Sequence, residues 1–202
     1  MSDREAVERG NMVGAVAFVE GVAAGWGCWE LSGWFEDHLV ATGIMSNSPP
    51  VVVEQGFGVI GIDPRWSGIT RSSAATTNIQ ELPRLLEASR KRVVESLRAF
   101  LPPHGDDRFV HAAIYRHQVE RRHVSGGSTQ WRATPRETDR LSDVVLSLFA
   151  ADILTHREFY ETRLCVCEVC GRVSFEDDSA PRAGCRVHST RGHSGGFRRF
   201  EL

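Results

Sequence analysis

Residues 134–160 read TPRETDRLSDVVLSLFAADILTHREFY, and this stretch predicts the helix around which the rest of the chain is organised. Thr134, Pro135 and Glu137 form a capping box with proline at the first helical position, which is typical of a helix start. Apolar side chains then recur at helical spacing: Leu141, Val144, Val145, Leu148, Phe149 and Ile153. A stripe this wide predicts a central core helix. The charged residues of the stretch are expected to face solvent: Asp139, Asp143, Asp152, His156 and Glu158.

Two further helices are expected on the N-terminal side of this core helix. An alanine- and glycine-rich pattern predicts the first over residues 7–24. Its glycines would share one face: Gly10, Gly14, Gly21 and Gly25. We favour accidental spacing as the explanation of this glycine face, because four positions make a weak pattern. The alternative is a close approach by another helix or a ligand. Leucine and valine at helical spacing predict the second helix over residues 81–100, with a solvated face of arginine and glutamate.

Between these two helices the chain carries an aromatic cluster and a glycine-rich segment. Core packing of Trp26, Trp29 and Trp34 is favoured over an aromatic binding wall. Ser48, followed by two prolines, predicts a helix start just before residues 51–54. The glycines at 56, 58 and 61 match the spacing of the dinucleotide-binding fingerprint. They do not lie between a clear strand and a helix, so a nucleotide site is rejected.

Residues 108–132 alone indicate a sheet, as strands joined by a hairpin turn, although the first third could equally be helical. His111, His117 and His123 would share one face of a single continuous strand. Neighbours six residues apart would then be separated by about 20 Å, at the usual rise of a strand. These histidines are therefore expected at the surface, and not around one metal ion.

The strongest chemical signal lies near the C-terminus, where Cys167 and Cys170 are followed after fourteen residues by Cys185 and His188. Two such pairs at this separation provide the four ligands of a tetrahedral Zn²⁺. Gly171 fits the turn, because the chain just past the second thiolate often needs a positive φ. Three thiolates and one imidazole leave no position for water or substrate. The expected Zn²⁺ is therefore structural.

Two other residues could substitute in this metal site. Cys165 would share a strand face with Cys167 in a short hairpin over residues 163–175, and His193 lies in a glycine-rich stretch. The favoured interpretation is that neither residue binds the metal, Cys165 being a buried cysteine and His193 a histidine of the tail. The ligand spacing resembles that of small zinc-ribbon and zinc-knuckle modules. The resemblance covers residues 165–200, and because such modules occur in nucleic-acid binders, enzyme subunits and adaptors alike, it implies no particular function.

The C-terminal tail combines arginine with phenylalanine, a pattern that can contact phosphates and stack on bases. Its candidate nucleic-acid-binding residues are Arg186, Arg191, Phe197, Arg198 and Arg199. The whole chain is rich in arginine, with Lys91 as its one lysine. The excess of arginine in the tail is therefore modest. The alternative is that these tail residues dock onto acidic faces of the helical part.

Composition favours a soluble, intracellular protein. A hydrophobic content of 41% and a charged content of 25% are typical of a globular domain. The net charge of −2 provides no overall attraction to nucleic acid or to anionic lipid. The start of the chain lacks a secretory signal, and the apolar run over residues 11–31 is interrupted by Glu20. Four cysteines crowded into residues 165–185 indicate a reducing compartment, so a cytoplasmic protein without a membrane partner is expected.

Together these patterns predict an α+β protein. A mainly helical domain with a small antiparallel β element would occupy residues 1–162, and a C-terminal zinc-ribbon or zinc-knuckle module with a basic tail would occupy residues 163–202. Because no catalytic motif is present, the favoured function is a non-enzymatic regulatory or adaptor protein with a structural Zn²⁺ and a protein partner. A nucleic-acid-binding regulator is the alternative, and small-molecule binding is left open. The second alternative is an enzyme with a dispersed site, for which the candidate residues are Trp26, Glu30, His38 and Asp63.

Overall fold

The structure, a computed structural model, describes residues 10–45, 51–54, 59–62, 82–101, 104–124, 129–136 and 139–175. Its helices are α1 (Gly10–Ala23), α2 (Cys28–Phe35), α3 (Leu82–Phe100), α4 (Arg108–Tyr115), α5 (Leu141–Thr155) and α6 (Arg157–Arg163). A π-helical turn, Glu36–Val40, continues α2. Three antiparallel hairpins pair β1 (Val51–Glu54) with β2 (Val59–Ile62), β3 (Val119–His123) with β4 (Thr129–Ala133), and β5 (Leu164–Val166) with β6 (Val173–Phe175). The described part is therefore mainly helical with small antiparallel sheets, as predicted.

Helix α5 lies at the centre of the described part of the molecule. Its first thirteen residues, 141–153, are all buried. A helix that is buried on every side needs neighbours all around it. Here α1, α3, α4, α6 and the β3–β4 hairpin all contact it. The prediction of a central core helix is confirmed.

The predicted start of this helix at Thr134 is wrong. The backbone N–H of Thr134 donates to the carbonyl of Gln118 at 2.8 Å, and its hydroxyl donates to the carbonyl of His117 at 3.2 Å. Thr134 therefore holds the end of β4 against the chain that leaves α4. The helix begins six residues later than Pro135, at Leu141, and it ends at Thr155, before α6.

Two carboxyl groups that were expected to face solvent are buried in α5. Asp143 is 9% exposed and Asp152 is 2% exposed. Asp152 accepts a 2.6 Å hydrogen bond from the hydroxyl of Tyr160 on α6. Asp143 forms ion pairs with arginines from two other helices. The expectation of solvent-facing charge is wrong at both positions, because neighbouring elements cover the polar side of α5 as well as its apolar side.

Helix α1 makes its closest contacts through its glycines. A Cβ atom at Gly14 would lie 2.9 Å from Cβ of His38, and one at Gly21 would lie 1.8 Å from the ring of Trp26. The indole N–H of Trp34 donates to the carbonyl of Gly14 at 2.7 Å. The favoured interpretation of accidental spacing is therefore wrong for these two glycines. They allow the tryptophan-bearing segment to approach the backbone of α1.

The tryptophans separate into two packed residues and one exposed residue. Trp34 is 3% exposed, and Trp26 packs against the core, where its ring forms a T-shaped pair with that of Phe18. Trp29, by contrast, is 71% exposed on α2. Core packing is confirmed for Trp26 and Trp34 but is wrong for Trp29.

The predicted helix start before residues 51–54 is wrong, because these residues form β1. Val51 pairs with Ile62 and Glu54 pairs with Val59 in an antiparallel register. Three consecutive valines favour a strand, since β-branched side chains lose rotamer freedom in a helix. Ser48 and the glycines at 56 and 58 lie outside the described residues, whereas Gly61 lies within β2.

The first third of the region that was predicted to contain strands is helical, as α4, and the hairpin occupies β3 and β4. Helix α4 ends in a Schellman motif. In this motif the N–H of His117 donates to Ile114 at 3.0 Å, and that of Gln118 donates to Ala113 at 2.8 Å. His117 is the left-handed residue of the motif, with φ of 55°. His111, His117 and His123 are all exposed, so their surface placement is confirmed. None of the helices in the described ranges is long and apolar enough to cross a membrane.

Candidate metal centre

The turn of the β5–β6 hairpin carries two of the predicted metal ligands, Cys167 and Cys170. We call residues 167–171 the knuckle. The N–H of Gly171 donates to the carbonyl of Cys167 at 2.9 Å, and the N–H of Cys167 donates to Arg172 at 2.9 Å. Gly171 adopts a φ of 68°, so the positive φ that was expected at this position is present. The turn places Cys167 and Cys170 together on one short loop.

Glycine is required at position 171 for a second reason. A Cβ atom there would lie 3.0 Å from Cγ1 of Val94 and 3.1 Å from Nη2 of Arg90, and both of these residues belong to α3. The knuckle therefore lies directly against the surface of α3. Any side chain at Gly171 would be strained by its backbone and would also push the loop away from that helix.

Two arginines of α3 bind the backbone of the knuckle. Nη2 of Arg98 donates to the carbonyl of Cys167 at 2.7 Å and to that of Glu168 at 2.9 Å. The guanidinium of Arg90 donates to the carbonyl of Cys170, and its Nε donates to the carbonyl of Val19 at 3.1 Å. Both arginines therefore hold the backbone of the knuckle against α3.

A carboxylate of α1 binds the other side of the hairpin. Glu20 accepts from Nε of Arg172 at 2.5 Å and from the N–H of Val173 at 3.2 Å. The side chains of Leu164, Val166 and Val173 belong to the same hydrophobic core as the helices. The hairpin is thus fixed to α1 and α3 both by its apolar side chains and by hydrogen bonds to its backbone.

The two described metal-ligand candidates differ in exposure. Cys167 is 1% exposed and Cys170 is half-buried. Cys165 is half-buried within β5, opposite Ser174. Since Leu164 and Val166 point into the core, Cys165 belongs to the other face of the hairpin. Its role as a substitute ligand stays a prediction.

Two of the four predicted zinc ligands, Cys185 and His188, lie outside the described residues, as does the possible substitute His193. Within the described ranges there is no group of three or more histidine, cysteine or acidic side chains that could hold a metal ion. The candidate nucleic-acid-binding residues also lie outside the described part: Arg186, Arg191, Phe197, Arg198 and Arg199.

The described half of the predicted site fits Zn²⁺. It provides two sulfur donors on a turn whose backbone is already hydrogen-bonded, and thiolate donors of this kind select Zn²⁺ over hard cations such as Mg²⁺. The remaining cysteine of the helical part, Cys28, is 5% exposed in α2, and burial raises the pKa of its thiol. Cys28 therefore remains protonated at neutral pH and is suited to packing.

The residues of the predicted dispersed enzyme site have separate structural contacts. Glu30 accepts a hydrogen bond from the N–H of Gly27 at 2.9 Å at the start of α2. His38 packs against Gly14, and Trp26 packs against Gly21. Asp63, the fourth candidate, lies outside the described residues.

A polar cluster around Asp143 was not predicted from the sequence. Its carboxylate lies 3.1 Å from Nη2 of Arg92 on α3 and 3.2 Å from Nη1 of Arg116 at the end of α4. The one signal in the sequence was an aspartate directly before the apolar residues 144–146 of the core helix. Both arginines are distant in sequence, so spacing alone gave no reason to connect them with Asp143.

The comparisons with known proteins returned no match: no family model, no curated protein and no solved structure is significantly similar to this chain.

Proposed function

We propose that Cys167, Cys170, Cys185 and His188 bind one structural Zn²⁺, and that the protein is a non-enzymatic regulator or adaptor that acts through protein–protein contacts. The observation that supports the zinc site best is the knuckle, in which Gly171 has a positive φ and arginines bind the backbone. A turn that is ordered by its own hydrogen bonds provides two ligands at little further entropic cost.

The proposed set of four ligands favours a structural rather than a catalytic ion. Four protein ligands fill the tetrahedron of Zn²⁺, so the ion contributes folding free energy and does not activate water. The second ligand pair belongs to residues 176–202. Binding of that pair would attach this segment to α1 and α3 through the hairpin, and this is the role that we propose for the metal.

An exposed aromatic residue supports a contact surface for a protein partner. Trp29 is 71% exposed, although tryptophan is among the residues that contribute most to protein interfaces. Both neighbouring tryptophans are packed, so the exposure of Trp29 is specific to its face of α2. We propose Trp29 as a partner-contact residue of this adaptor.

Metal analysis of purified variants tests the zinc site. We expect one zinc per chain in the wild-type protein, and its loss in Cys167→Ala, Cys170→Ala and Cys185→Ala. Cys28→Ala is the matched control, because this cysteine lies in α2 and should leave the zinc content unchanged. Cys165→Ala tests the substitute ligand and should also retain zinc. Full zinc content in both Cys170→Ala and Cys185→Ala would show that the ligand assignment is wrong.

Affinity purification followed by mass spectrometry tests the adaptor proposal. A protein partner should co-purify with the wild-type chain after nuclease treatment and should be lost with Trp29→Ala. The control is Tyr115→Ala, which removes another exposed aromatic side chain, on α4. Zinc content should be equal in all three proteins. Direct binding to DNA or RNA with an affinity that falls steeply with salt would instead support the nucleic-acid alternative.

A further inference from the structure

One side of α2 and of the π-helical turn that continues it is exposed to solvent. Its residues, which we call the α2 face, are Trp29, Glu30, Gly33, Glu36 and Asp37. Gly33 lies four positions after Trp29 and three before Glu36, and residues at these spacings share one side of a helix. The α2 face therefore combines one aromatic side chain with three carboxylates.

The middle of the α2 face is open. A Cβ atom at Gly33 would meet no neighbouring atom within 4 Å, and Trp29 beside it is 71% exposed. A ligand can therefore approach the indole ring from solvent without moving another side chain. The π-helical turn is a separate indication, because such turns are rare and are frequent at functional sites. The N–H of Ala41 closes it by donating to the carbonyl of Glu36 at 2.8 Å.

The negative charge of the α2 face is not balanced by its surroundings. None of the 24 lysine and arginine residues of the chain lies between residues 10 and 64. Within the described ranges, no basic side chain forms an ion pair with Glu30, Glu36 or Asp37. Glu30 accepts only the backbone N–H of Gly27, at 2.9 Å, and this contact leaves its charge in place. Unpaired carboxylates around an exposed indole favour a cationic partner and repel nucleic acid and anionic lipid.

The aromatic ring and the length of the α2 face limit which cation fits. A guanidinium group is planar, so it can stack on an indole and can donate two parallel hydrogen bonds to a carboxylate. An ammonium group is a more strongly hydrated point charge. From Trp29 to Asp37 the face extends over about 12 Å at the rise of a helix. One side chain cannot bind all of it, whereas a segment with several arginines can.

We infer that the α2 face binds an arginine-rich segment of a partner protein. One arginine would stack on Trp29, and others would bind the carboxylates of Glu36 and Asp37. The inference rests on the proposed adaptor function, in which Trp29 contacts a partner, and it names the chemistry of that partner.

The arginine-bearing tail of this chain is a competing occupant. Its proposed zinc ligands, Cys185 and His188, would hold the start of the tail at the knuckle on α3. The α2 face, by contrast, is on the side of α2 away from α1, because Trp34 on the buried side donates to the carbonyl of Gly14. A partner protein is therefore the favoured occupant, and a variant of the tail tests the alternative.

Isothermal titration calorimetry of the full-length protein with three probes tests the inference: hexa-arginine, hexa-lysine and hexaglutamate. At low salt we expect hexa-arginine to bind with a dissociation constant of about 100 µM or tighter. Hexa-lysine should bind about threefold more weakly, because its ammonium groups stack less well on Trp29. Hexaglutamate should not bind, and added salt should weaken the binding of both cationic peptides. Absence of hexa-arginine binding at about 1 mM would overturn the inference.

A charge-neutral double variant locates the binding to the α2 face. Glu36→Gln with Asp37→Asn should weaken hexa-arginine binding about fivefold or more. The matched control is Glu95→Gln with Glu120→Gln, which removes two charges from side chains that are 60% and 57% exposed on α3 and β3. The control should bind hexa-arginine like the wild-type protein. Equal affinity of the two double variants would overturn the proposed location.

Two further variants test the role of Trp29 and the occupant. Trp29→Leu keeps an apolar side chain but removes the ring, so the preference for hexa-arginine over hexa-lysine should disappear. A preference that persists would contradict stacking on Trp29. Arg198→Gln with Arg199→Gln should leave the affinity for hexa-arginine unchanged. Binding that becomes about tenfold tighter in this tail variant would identify the tail as the occupant and overturn the inference of a partner.

Capture of a partner separates this inference from the adaptor proposal. A partner that is lost with Glu36→Gln and Asp37→Asn, and that hexa-arginine displaces from the wild-type protein, would support both. A partner that needs Trp29 but is retained by this double variant would leave the adaptor proposal intact and overturn the inference. Hexa-arginine binding that depends on both carboxylates, without any captured partner, would support the surface and count against the adaptor function.

Discussion

The hydrogen bond between Tyr160 and Asp152 joins two buried residues. Tyr160 and Asp152 are each 2% exposed, and their 2.6 Å contact connects α6 to the central helix. A buried carboxyl group is costly unless its oxygens accept hydrogen bonds. The tyrosine hydroxyl therefore does more than fill space, because it donates a hydrogen bond to a buried carboxyl group.

Tyr160→Phe should test this contribution. The substitution keeps the ring and removes only the donor, so we expect the free energy of unfolding to fall by about 1–3 kcal/mol. Tyr115→Phe is the matched control, since Tyr115 is 85% exposed and its change should stay within about 0.5 kcal/mol. Chemical denaturation monitored by circular dichroism gives both values. Equal stability of the two variants would contradict a role for the hydroxyl.

The conformation or role of a single residue was predictable from the sequence where it depends only on adjacent residues. The positive φ of Gly171 follows from a chelating turn, and a turn is a property of adjacent residues. The burial of Asp143 and Asp152 was not predictable in this way. Helical periodicity identifies the apolar side of α5, but it carries no information about which distant elements cover the other side.

At the scale of elements, the packing of α1 against the segment that follows it depends on Gly21. The indole of Trp26 occupies the space where a Cβ of residue 21 would lie, and the N–H of Trp26 donates to the carbonyl of Gly21 at 3.1 Å. The backbone and the side chain of Trp26 are therefore both fixed at this position. Glycine at this position lowers the helix propensity of α1, but it makes the close contact with Trp26 possible.

Gly21→Ala should destabilise the protein despite the better helix propensity of alanine. The new methyl group would displace the Trp26 ring from its edge contact with Phe18, and overpacking of this kind costs about 1–3 kcal/mol. Gly33→Ala is the matched control. Nothing lies within 4 Å of a Cβ at Gly33 in α2, so this change should stabilise by about 0.5–1 kcal/mol. Thermal unfolding compares the two, and a stabilising Gly21→Ala would refute the packing argument.

The existence of elements with a strong hydrophobic period was predicted better than the residues at which elements begin and end. The pattern of α3 was predicted within one residue of its observed start, and the β3–β4 hairpin was anticipated from its turn. The helix start proposed at Thr134 failed because the same residues also suit a loop that binds the end of α4. The helix proposed at residues 51–54 was wrong because the three β-branched valines favour a strand more strongly than the capping signal at Ser48 favours a helix.

At the scale of the whole molecule, the β5–β6 hairpin and its knuckle are bound by residues far away along the chain. Arg172 and Glu20 are separated by 152 positions, and Arg90 and Cys170 by 80. Ligand spacing is a local pattern, so the sequence predicted the knuckle but not its attachment to α1 and α3. The division into residues 1–162 and 163–202 stays a prediction, because much of the second segment lies outside the described residues.

Arg98→Gln should loosen the knuckle without unfolding the helices. The shorter side chain leaves the carbonyls of Cys167 and Glu168 without their charged donor, and loss of such an outer contact typically lowers metal affinity about 10–100-fold. Zinc competition with a chelator measures this change. Hydrogen exchange gives a metal-independent readout, in which the amides of Cys167 and Gly171 should exchange faster. Arg84→Gln, on the exposed side of α3, should leave both measurements unchanged.

The complete enclosure of α5 has a consequence for biosynthesis. Helix α1 is made early, whereas the helix that it packs against emerges from the ribosome only after Leu141 and its successors have been translated. Until then the face of α1 that packs against α5 lacks the helix that covers it in the folded protein. We therefore expect the nascent chain to present this face to chaperones until α5 has been translated.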